Sequence, residues 1–295
     1  MINFNKFYKI FNIISFILML SSILLLSIKG LNFGVDFKGG TLIELRTTDN
    51  EINVTTLRKS FNKMNLGDVN VKKFGKDNDY LIKFEKKDIE PNTIEKIKID
   101  LTNLIGDTFN FRRVENVGPK VSSELLKSGM IAILVSLAAM LFYIWIRFEW
   151  QFSLGAILAL FHDIIITLGF FSLFSLEINL SIVAAVLTIV GYSMNDTVVI
   201  FDRVRENLKK FSDIKIYELT NISINETLSR TIITSVTTLL ALLSIYIFGG
   251  EILKGFSLAM ILGVIFGTYS SIYIANPVLV KLRVSQKTII KEDID

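Results

Sequence analysis

The chain has 295 residues, of which 51% are hydrophobic and 20% charged, with one histidine and no cysteine. Residues 29–127 carry 18 Lys/Arg and 15 Asp/Glu, which is 33 of the 60 charged residues, while the remainder consists mostly of long apolar runs. This segregation excludes a single soluble globule, a disordered chain and a disulfide scaffold. One histidine without cysteine also excludes thiolate and multi-histidine metal sites, so we expect no metal.

The first predicted element is an apolar helix over residues 10–28. A run of this length can cross about 30 Å of hydrocarbon at about 1.5 Å per residue. It is too long for the apolar region of a signal peptide and lacks a small-x-small cleavage site. We therefore predict that it is retained as a transmembrane helix.

Residues 30–127 form short mixed elements instead of apolar runs. Alternating apolar residues predict strands, and apolar residues at helical spacing predict helices. In chain order, the pattern predicts a strand at 41–46, a helix at 54–64 capped by Asn53, strands at 69–71 and 80–84 around a turn at 75–78, a helix at 93–105 and a strand at 109–112. This β-α-β-β-α-β order predicts a ferredoxin-like domain. Its charges are mixed and lack aromatic–basic interleaving, so no nucleic-acid partner is expected.

Five further apolar runs follow, and they complete a polytopic α-helical membrane protein with six transmembrane helices. These runs cover residues 129–146, 152–174, 179–201, 231–248 and 255–276. In the last run, small residues recur every four positions, a spacing that lets helices approach closely in lipid. These small residues are Gly255, Ala259, Gly263 and Gly267.

The distribution of Lys and Arg predicts the orientation. With the N-terminus inside, 13 of these residues fall in cytoplasmic segments, whereas the short outside loops contribute only Lys254. The positive-inside rule therefore predicts that both termini are cytoplasmic. The predicted domains are a cytoplasmic N-terminus with the first helix (1–29), an extracytoplasmic α+β domain (30–127), helices two to six (128–277) and a cytoplasmic tail (278–295).

Few ionisable side chains fall inside the predicted spans. His162 and Asp163 lie near the middle of the third span, Asp196 lies in the fourth, and Arg230 begins the fifth. A carboxylate at that depth costs about 2.5–3.5 kcal/mol, so it needs a partner, water or a proton. Polar residues on spans four and five, including Ser193 on the fourth, predict a seam at which Asp196 and Arg230 could meet.

Each of these residues also has a purely structural interpretation. Arg230 could be a positive-inside anchor, Asp196 could belong to a static ion pair, and His162 and Asp163 could form a structural hydrogen-bonded pair. Threonines in the fifth span, such as Thr234, commonly bond back to their own helix. No Walker A loop and no serine-nucleophile elbow occurs in the sequence, so we expect no enzyme activity and no cofactor. Energy coupling would then come from an ion gradient or from a partner.

Four stretches of the sequence resemble motifs of the SecD/SecF translocase family. The first is 31–41, which contains Gly34, Asp36, Gly39 and Gly40. The others are 117–125, with Ser122 where a glycine is expected, 191–207 in the fourth span, and 225–231 with the threonines that follow. With six spans and one large domain after the first, the chain resembles the SecF branch of this family, which is related to the resistance-nodulation-division transporters.

The resemblance implies an accessory subunit of the bacterial Sec preprotein translocase in the inner (cytoplasmic) membrane. Such a subunit pairs with SecD and uses the proton-motive force to promote export; its other expected partners are the SecYEG channel, YajC, YidC and the translocating preprotein. By matching motifs, Asp196 corresponds to the essential membrane aspartate and Arg230 to the arginine linked with proton coupling. His162, Asp163, Asn195 and Thr234 form a candidate secondary polar site.

We hypothesise that proton entry neutralises Asp196 and loosens its pairing with Arg230, so that spans four and five shift. The competing interpretations are a self-contained proton-coupled secondary transporter for a small substrate, and a scaffold without ion coupling. A transporter of that kind would have a substrate pocket near the middle of the membrane. The sequence is compatible with H⁺ or Na⁺ as the coupling ion.

Overall fold

The computed structural model describes residues 1–49, 51–73, 78–84, 92–211 and 214–289. Within these ranges, six helical segments are long and apolar enough to cross a membrane, and the predicted number of spans is confirmed. The segments are Asn5–Ile28, Lys120–Arg147, Trp150–Leu173, Leu180–Lys210, Ile216–Phe248 and Leu253–Lys281. Several continue beyond the predicted apolar runs, because amphipathic turns extend the helices at their ends.

Long helices make up most of the chain. The short strands and helices lie mainly between the first and second long helices. The helices are α1 (Tyr8–Ile28), α2 (Val35–Lys38), α3 (Val54–Lys63), α4 (Thr93–Ile105), α5 (Pro119–Arg147), α6 (Trp150–Leu173), α7 (Leu180–Lys210), α8 (Ile216–Phe248), α9 (Glu251–Ser270), α10 (Asn276–Lys281) and α11 (Gln286–Ile289). The strands are β1 (Asn32–Phe33), β2 (Gly40–Thr47), β3 (Val69–Lys73), β4 (Asp79–Phe84), β5 (Phe109–Val117) and β6 (Glu177–Ile178). A 3₁₀ turn precedes α1, and one π-helical segment, Ser271–Ala275, joins α9 to α10.

The chain divides into two compact units. The helical unit comprises Met1–Asn32, Ala132–Leu176 and Ser181–Asp295, and the sheet unit comprises Phe33–Ile131 and Glu177–Leu180. The predicted tail at 278–295 is described only as far as residue 289.

In the sheet unit, four antiparallel strands lie in the order β3-β4-β2-β5. The predicted strands and helices are all present, although β5 continues to Val117. The Asn53 side chain caps α3 as predicted, because its Oδ1 accepts the backbone N–H groups of Thr55 and Thr56, each at 3.0 Å. Residues 75–77 of the predicted turn lie outside the described residues. The apolar core includes Ile43, Leu45, Leu57, Phe61, Ile82 and Leu101.

In the helical unit, the small residues of α9 lie against α7, and the close approach to a neighbouring helix is what their spacing predicts. A Cβ atom added at Gly263 would overlap the Ile189 side chain, and one added at Gly267 would lie 3.0 Å from the Ser193 Cβ. Ala259, between Gly255 and Gly263 in the repeat, is fully buried. The two helix backbones can therefore approach closely only while this face of α9 carries small side chains.

We predict that Gly263→Ala lowers the free energy of unfolding by about 1–3 kcal/mol, because the new methyl group overpacks the contact with Ile189. Gly191→Ala is the matched control, since a Cβ at this exposed helical position meets nothing within 4 Å. The control should gain up to about 1 kcal/mol from helix propensity. Denaturant titration of the detergent-solubilised protein measures both changes, and equal effects of the two substitutions would contradict close packing at Gly263.

Candidate intramembrane polar site

Two aspartates are withdrawn from solvent inside the helical unit. Asp163 on α6 is 0% exposed, and Asp196 on α7 is 3% exposed. A buried carboxylate requires hydrogen-bond donors or a countercharge, since desolvation of an uncompensated ion is costly. The two aspartates differ in how many donors they receive.

Asp163 accepts hydrogen bonds from three side chains. The Ser193 and Ser270 hydroxyls donate to its Oδ2 at 2.5 and 2.8 Å, and His162 Nδ1 lies 2.9 Å from its Oδ1. Since Ser193 belongs to α7 and Ser270 to α9, the carboxylate of Asp163 joins three helices. His162 and Asp163 thus form a hydrogen-bonded pair, which is one of the interpretations that the sequence left open.

His162 is held in a small aromatic and hydroxyl cluster. Its ring stacks on that of Tyr269, with the ring centroids 5.8 Å apart. The Tyr269 hydroxyl donates to the Phe11 carbonyl at 2.8 Å and lies 2.7 Å from the Ser15 hydroxyl, so α1 is tied to the same cluster. His162 Nε2 is buried and has no hydrogen-bond partner in the part of the chain that the structure describes.

Within the residues that the structure describes, Asp196 receives a single, longer side-chain hydrogen bond. The Thr268 hydroxyl donates to its Oδ2 at 3.3 Å, and the same hydroxyl lies 2.7 Å from the Ser235 hydroxyl. A chain of polar groups therefore runs from α7 through α9 to α8. Because Thr268 donates over a long distance, the carboxylate of Asp196 is less fully compensated than that of Asp163.

Arg230 lies at an exposed position on α8. Among the described residues, no ion pair within 4.0 Å joins it to Asp196. It lines a cleft of about 490 Å³ together with Val199, Asp202, Arg203, Glu206, Glu226 and Thr227. Glu226 in this cleft is bound by Arg203 and Asn207, each at 2.7 Å. The cleft thus collects charged groups of both signs from α7 and α8.

The remaining two residues of the predicted secondary site lie apart from the Asp163 cluster. The Thr234 hydroxyl donates hydrogen bonds to the backbone carbonyls of Arg230 and Thr231, each at 3.0 Å. A threonine inside a helix commonly bonds to its own helix in this way. The Asn195 side chain is exposed. In the described ranges no hydrogen bond joins either residue to Asp163.

The hydroxyl groups of the last span were not among the site residues predicted from the sequence. Thr268 and Ser270 contact the two aspartates, and Ser235 continues the chain from Thr268. The available signal was the cluster of hydroxyl residues directly after Gly267. The helix changes to π geometry just beyond them, at Ser271–Ala275, which precedes Pro277. Such π segments occur frequently at functional sites.

The glycine-rich motif after the first span organises a turn within the sheet unit. The Gly34 backbone N–H donates to the Ile178 carbonyl at 2.8 Å, and the Asp36 carboxylate accepts the Leu180 backbone N–H at 2.9 Å. A Cβ at Gly34 would overlap the Glu177 carboxylate. Gly39, with φ +77°, and Gly40, with φ +127°, adopt conformations that side chains disfavour. In the described residues this motif forms no group of three acidic or histidine side chains that could hold a metal.

Two family models match the chain. The model for the C-terminal part of the protein export membrane proteins SecD/SecF matches residues 97–285, and the SecD/SecF GG motif matches residues 24–51. The second match contains the glycine turn described above. The first contains both buried aspartates, Arg230 and their hydroxyl partners.

Curated relatives and solved structures agree with these matches. The chain is 47% identical to the protein translocase subunit SecF of Rickettsia bellii and 45% identical to that of Rickettsia prowazekii, and it covers 92% and 89% of their lengths. In each alignment 94% of this chain is matched.

Among solved structures, the crystal structure of SecDF, a translocon-associated membrane protein from Thermus thermophilus, aligns with a TM-score of 0.85 at 35% identity. SecDF in a super-membrane-facing form aligns with a TM-score of 0.70 at 34% identity. Both alignments cover 95% of this chain, which spans 38% of the length of each SecDF chain. The chain belongs to the SecD/SecF family of protein export membrane proteins.

Proposed function

We propose that this chain is an accessory subunit of the Sec preprotein translocase that acts with SecD and uses the proton-motive force to promote protein export. The match to SecF subunits over most of their length supports this role. The proposed partners also include those expected from the sequence, namely the SecYEG channel, YajC, YidC and a translocating preprotein. We assign no catalytic reaction and no cofactor to the chain.

The proposed arrangement is a multi-pass protein of the bacterial inner membrane with both termini in the cytoplasm. Its domains are those predicted from the sequence, at 1–29, 30–127, 128–277 and 278–295. We propose that 30–127 is a ferredoxin-like domain outside the membrane that contacts the emerging polypeptide or relays motion to it. The strand order β3-β4-β2-β5 supports this fold, because it places the first and third strands of a β-α-β-β-α-β unit at the centre of the sheet.

Asp196 is the residue that we propose exchanges the proton. The observation that carries this assignment is its incomplete set of donors: a buried carboxylate bound by one hydroxyl at 3.3 Å. A carboxylate in that position gains from protonation whenever its one donor moves away or its countercharge is withdrawn. Asp163 differs, since three donors compensate it. We assign Asp163 to positioning.

The proposed switch breaks or re-forms the hydrogen bonds that link Asp196 on α7, Thr268 on α9 and Ser235 on α8. When Asp196 is charged, it holds the Thr268 hydroxyl, which in turn meets Ser235. Protonation removes the charge that orients Thr268, so the three helices can adopt a second packing. Two packings that differ by only a few kcal/mol suffice for a proton to shift the balance between them. In the second packing, Arg230 supplies the positive charge that draws the proton off Asp196.

We predict that Asp196→Asn abolishes the proton-dependent part of preprotein export, because the amide cannot take up or release a proton. The assay measures translocation of a preprotein into inverted vesicles that contain the variant together with SecD. Proton and sodium gradients are imposed separately. Glu206→Gln is the matched control, since it also neutralises a carboxylate on α7 but at an exposed position.

In the same assay, Arg230→Lys should keep part of the activity and Arg230→Met should lose it. Full export by both Asp196→Asn and Arg230→Met would contradict ion coupling and favour a scaffold. If export by the wild type responds to a sodium gradient alone, the coupling ion is Na⁺ and not H⁺.

We predict that Asp163→Asn lowers the free energy of unfolding by about 1.5–3 kcal/mol, because hydrogen bonds to a charged acceptor are the strong ones. Asp196→Asn should lower it by less, since only one long hydrogen bond is affected. Denaturant titration in mixed micelles compares the two variants. A larger loss of stability for Asp196→Asn than for Asp163→Asn would reverse the roles assigned to the two aspartates.

A further inference from the structure

A second feature of the helical unit is an open cavity of about 860 Å³ between α1, α6 and α10. Most of its wall is apolar, and several of the apolar side chains are exposed at its mouth. The wall includes Ile13, Phe16, Met19, Leu158, Phe161 and Ile165. All of these residues lie within membrane-crossing segments, so in a bilayer the cavity opens toward hydrocarbon.

Two lysines from different helices line the same cavity. Lys9 lies in the first turn of α1, and Lys281 is the last residue of α10. These positions begin the first membrane-crossing segment and end the sixth, so an even number of crossings places both at the same membrane face. Neither lysine forms an ion pair with a carboxylate in the described part of the chain. The cavity thus combines an apolar wall with two cations at the membrane surface, and the described ranges contain no ion-pair partner for either of them.

We propose that this cavity binds an anionic phospholipid of the surrounding bilayer, with its phosphate between Lys9 and Lys281 and one acyl chain against the apolar wall. Charge complementarity supports a lipid, because basic pockets between transmembrane helices at the membrane surface bind anionic headgroups. The depth of the apolar wall matches the path of an acyl chain below its headgroup. Along α1, Phe16 lies seven residues after Lys9, which is a distance of about 10 Å along the helix axis.

The proposed lipid would also contact the cluster around Asp163. His162 lines the cavity and presents a ring that stacks on Tyr269. A seated acyl chain excludes water from this wall, so it keeps the surroundings of the His162–Asp163 pair apolar. The lipid would thereby help to hold α1 and α10 against α6.

Site-specific fluorescence quenching tests the proposal. Phe16→Trp places a reporter in the cavity, in a background in which both native tryptophans are removed (Trp145→Phe and Trp150→Phe). The full chain is reconstituted in dioleoyl-phosphatidylcholine vesicles that contain increasing fractions of 9,10-dibromo phosphatidylglycerol or 9,10-dibromo phosphatidylcholine. The bromines of a seated chain lie near the depth of residue 16. We expect the relative binding constant for phosphatidylglycerol to exceed that for phosphatidylcholine about tenfold.

Charge variants in the same reporter background identify the headgroup contact. Lys9→Gln with Lys281→Gln should reduce the preference to about one. Lys209→Gln with Lys210→Gln is the matched control, since it removes two exposed cations at the end of the fourth crossing, on the same membrane face, and it should leave the preference unchanged. Circular dichroism of every variant confirms that the helices are retained.

Three results would overturn the proposal. Equal quenching by both brominated lipids in the reporter protein would exclude selection of an anionic headgroup. An equal loss of preference in the control pair would assign the effect to general surface charge. A reporter that neither lipid quenches would mean that lipid does not enter, and that the cavity is closed or occupied by protein.

Discussion

The structure depends on how two carboxylates are accommodated inside an apolar helical bundle. Burial of an ion in such surroundings is costly unless donors or a countercharge compensate it. Asp163 receives three hydrogen bonds from three separate residues, whereas Asp196 receives one long one. The proposed roles follow from this difference, because an incompletely compensated carboxylate gains more from protonation than a well-compensated one.

The two aspartates are coupled through shared helices. Ser193, which binds Asp163, lies three residues before Asp196 on α7, and Thr268, which binds Asp196, lies two residues before Ser270 on α9. Gly267 brings α9 against Ser193 at this level, since a Cβ there would lie 3.0 Å from the serine Cβ. A rearrangement at Asp196 therefore acts on the same two helices that Asp163 holds in place.

Much of the architecture followed from the sequence, since composition and periodicity are local properties. The six spans, the capping role of Asn53 and a close helix contact through the small residues of α9 could all be predicted. That the neighbour in this contact is α7 could not be predicted. Neither could the partners of the aspartates. The polar stripes on spans four and five suggested a seam at which Asp196 and Arg230 could meet, and they gave no indication that Asp196 binds Thr268 of the sixth span. A helical wheel shows which residues share a face, and only the packing of the helices determines which face of a neighbour they meet.

We propose that the charge of Asp196 sets the packing of α8 against α9. Because the chain has no cysteine, spin labels can be attached at Val236→Cys on α8 and Ile265→Cys on α9, both at exposed positions. Pulsed electron paramagnetic resonance of the reconstituted protein then measures the distance between the labels at high and low pH. We predict that acidification shifts the wild-type distances, and that Asp196→Asn shows the shifted distances at both pH values. Identical distances in wild type and Asp196→Asn under all conditions would contradict it.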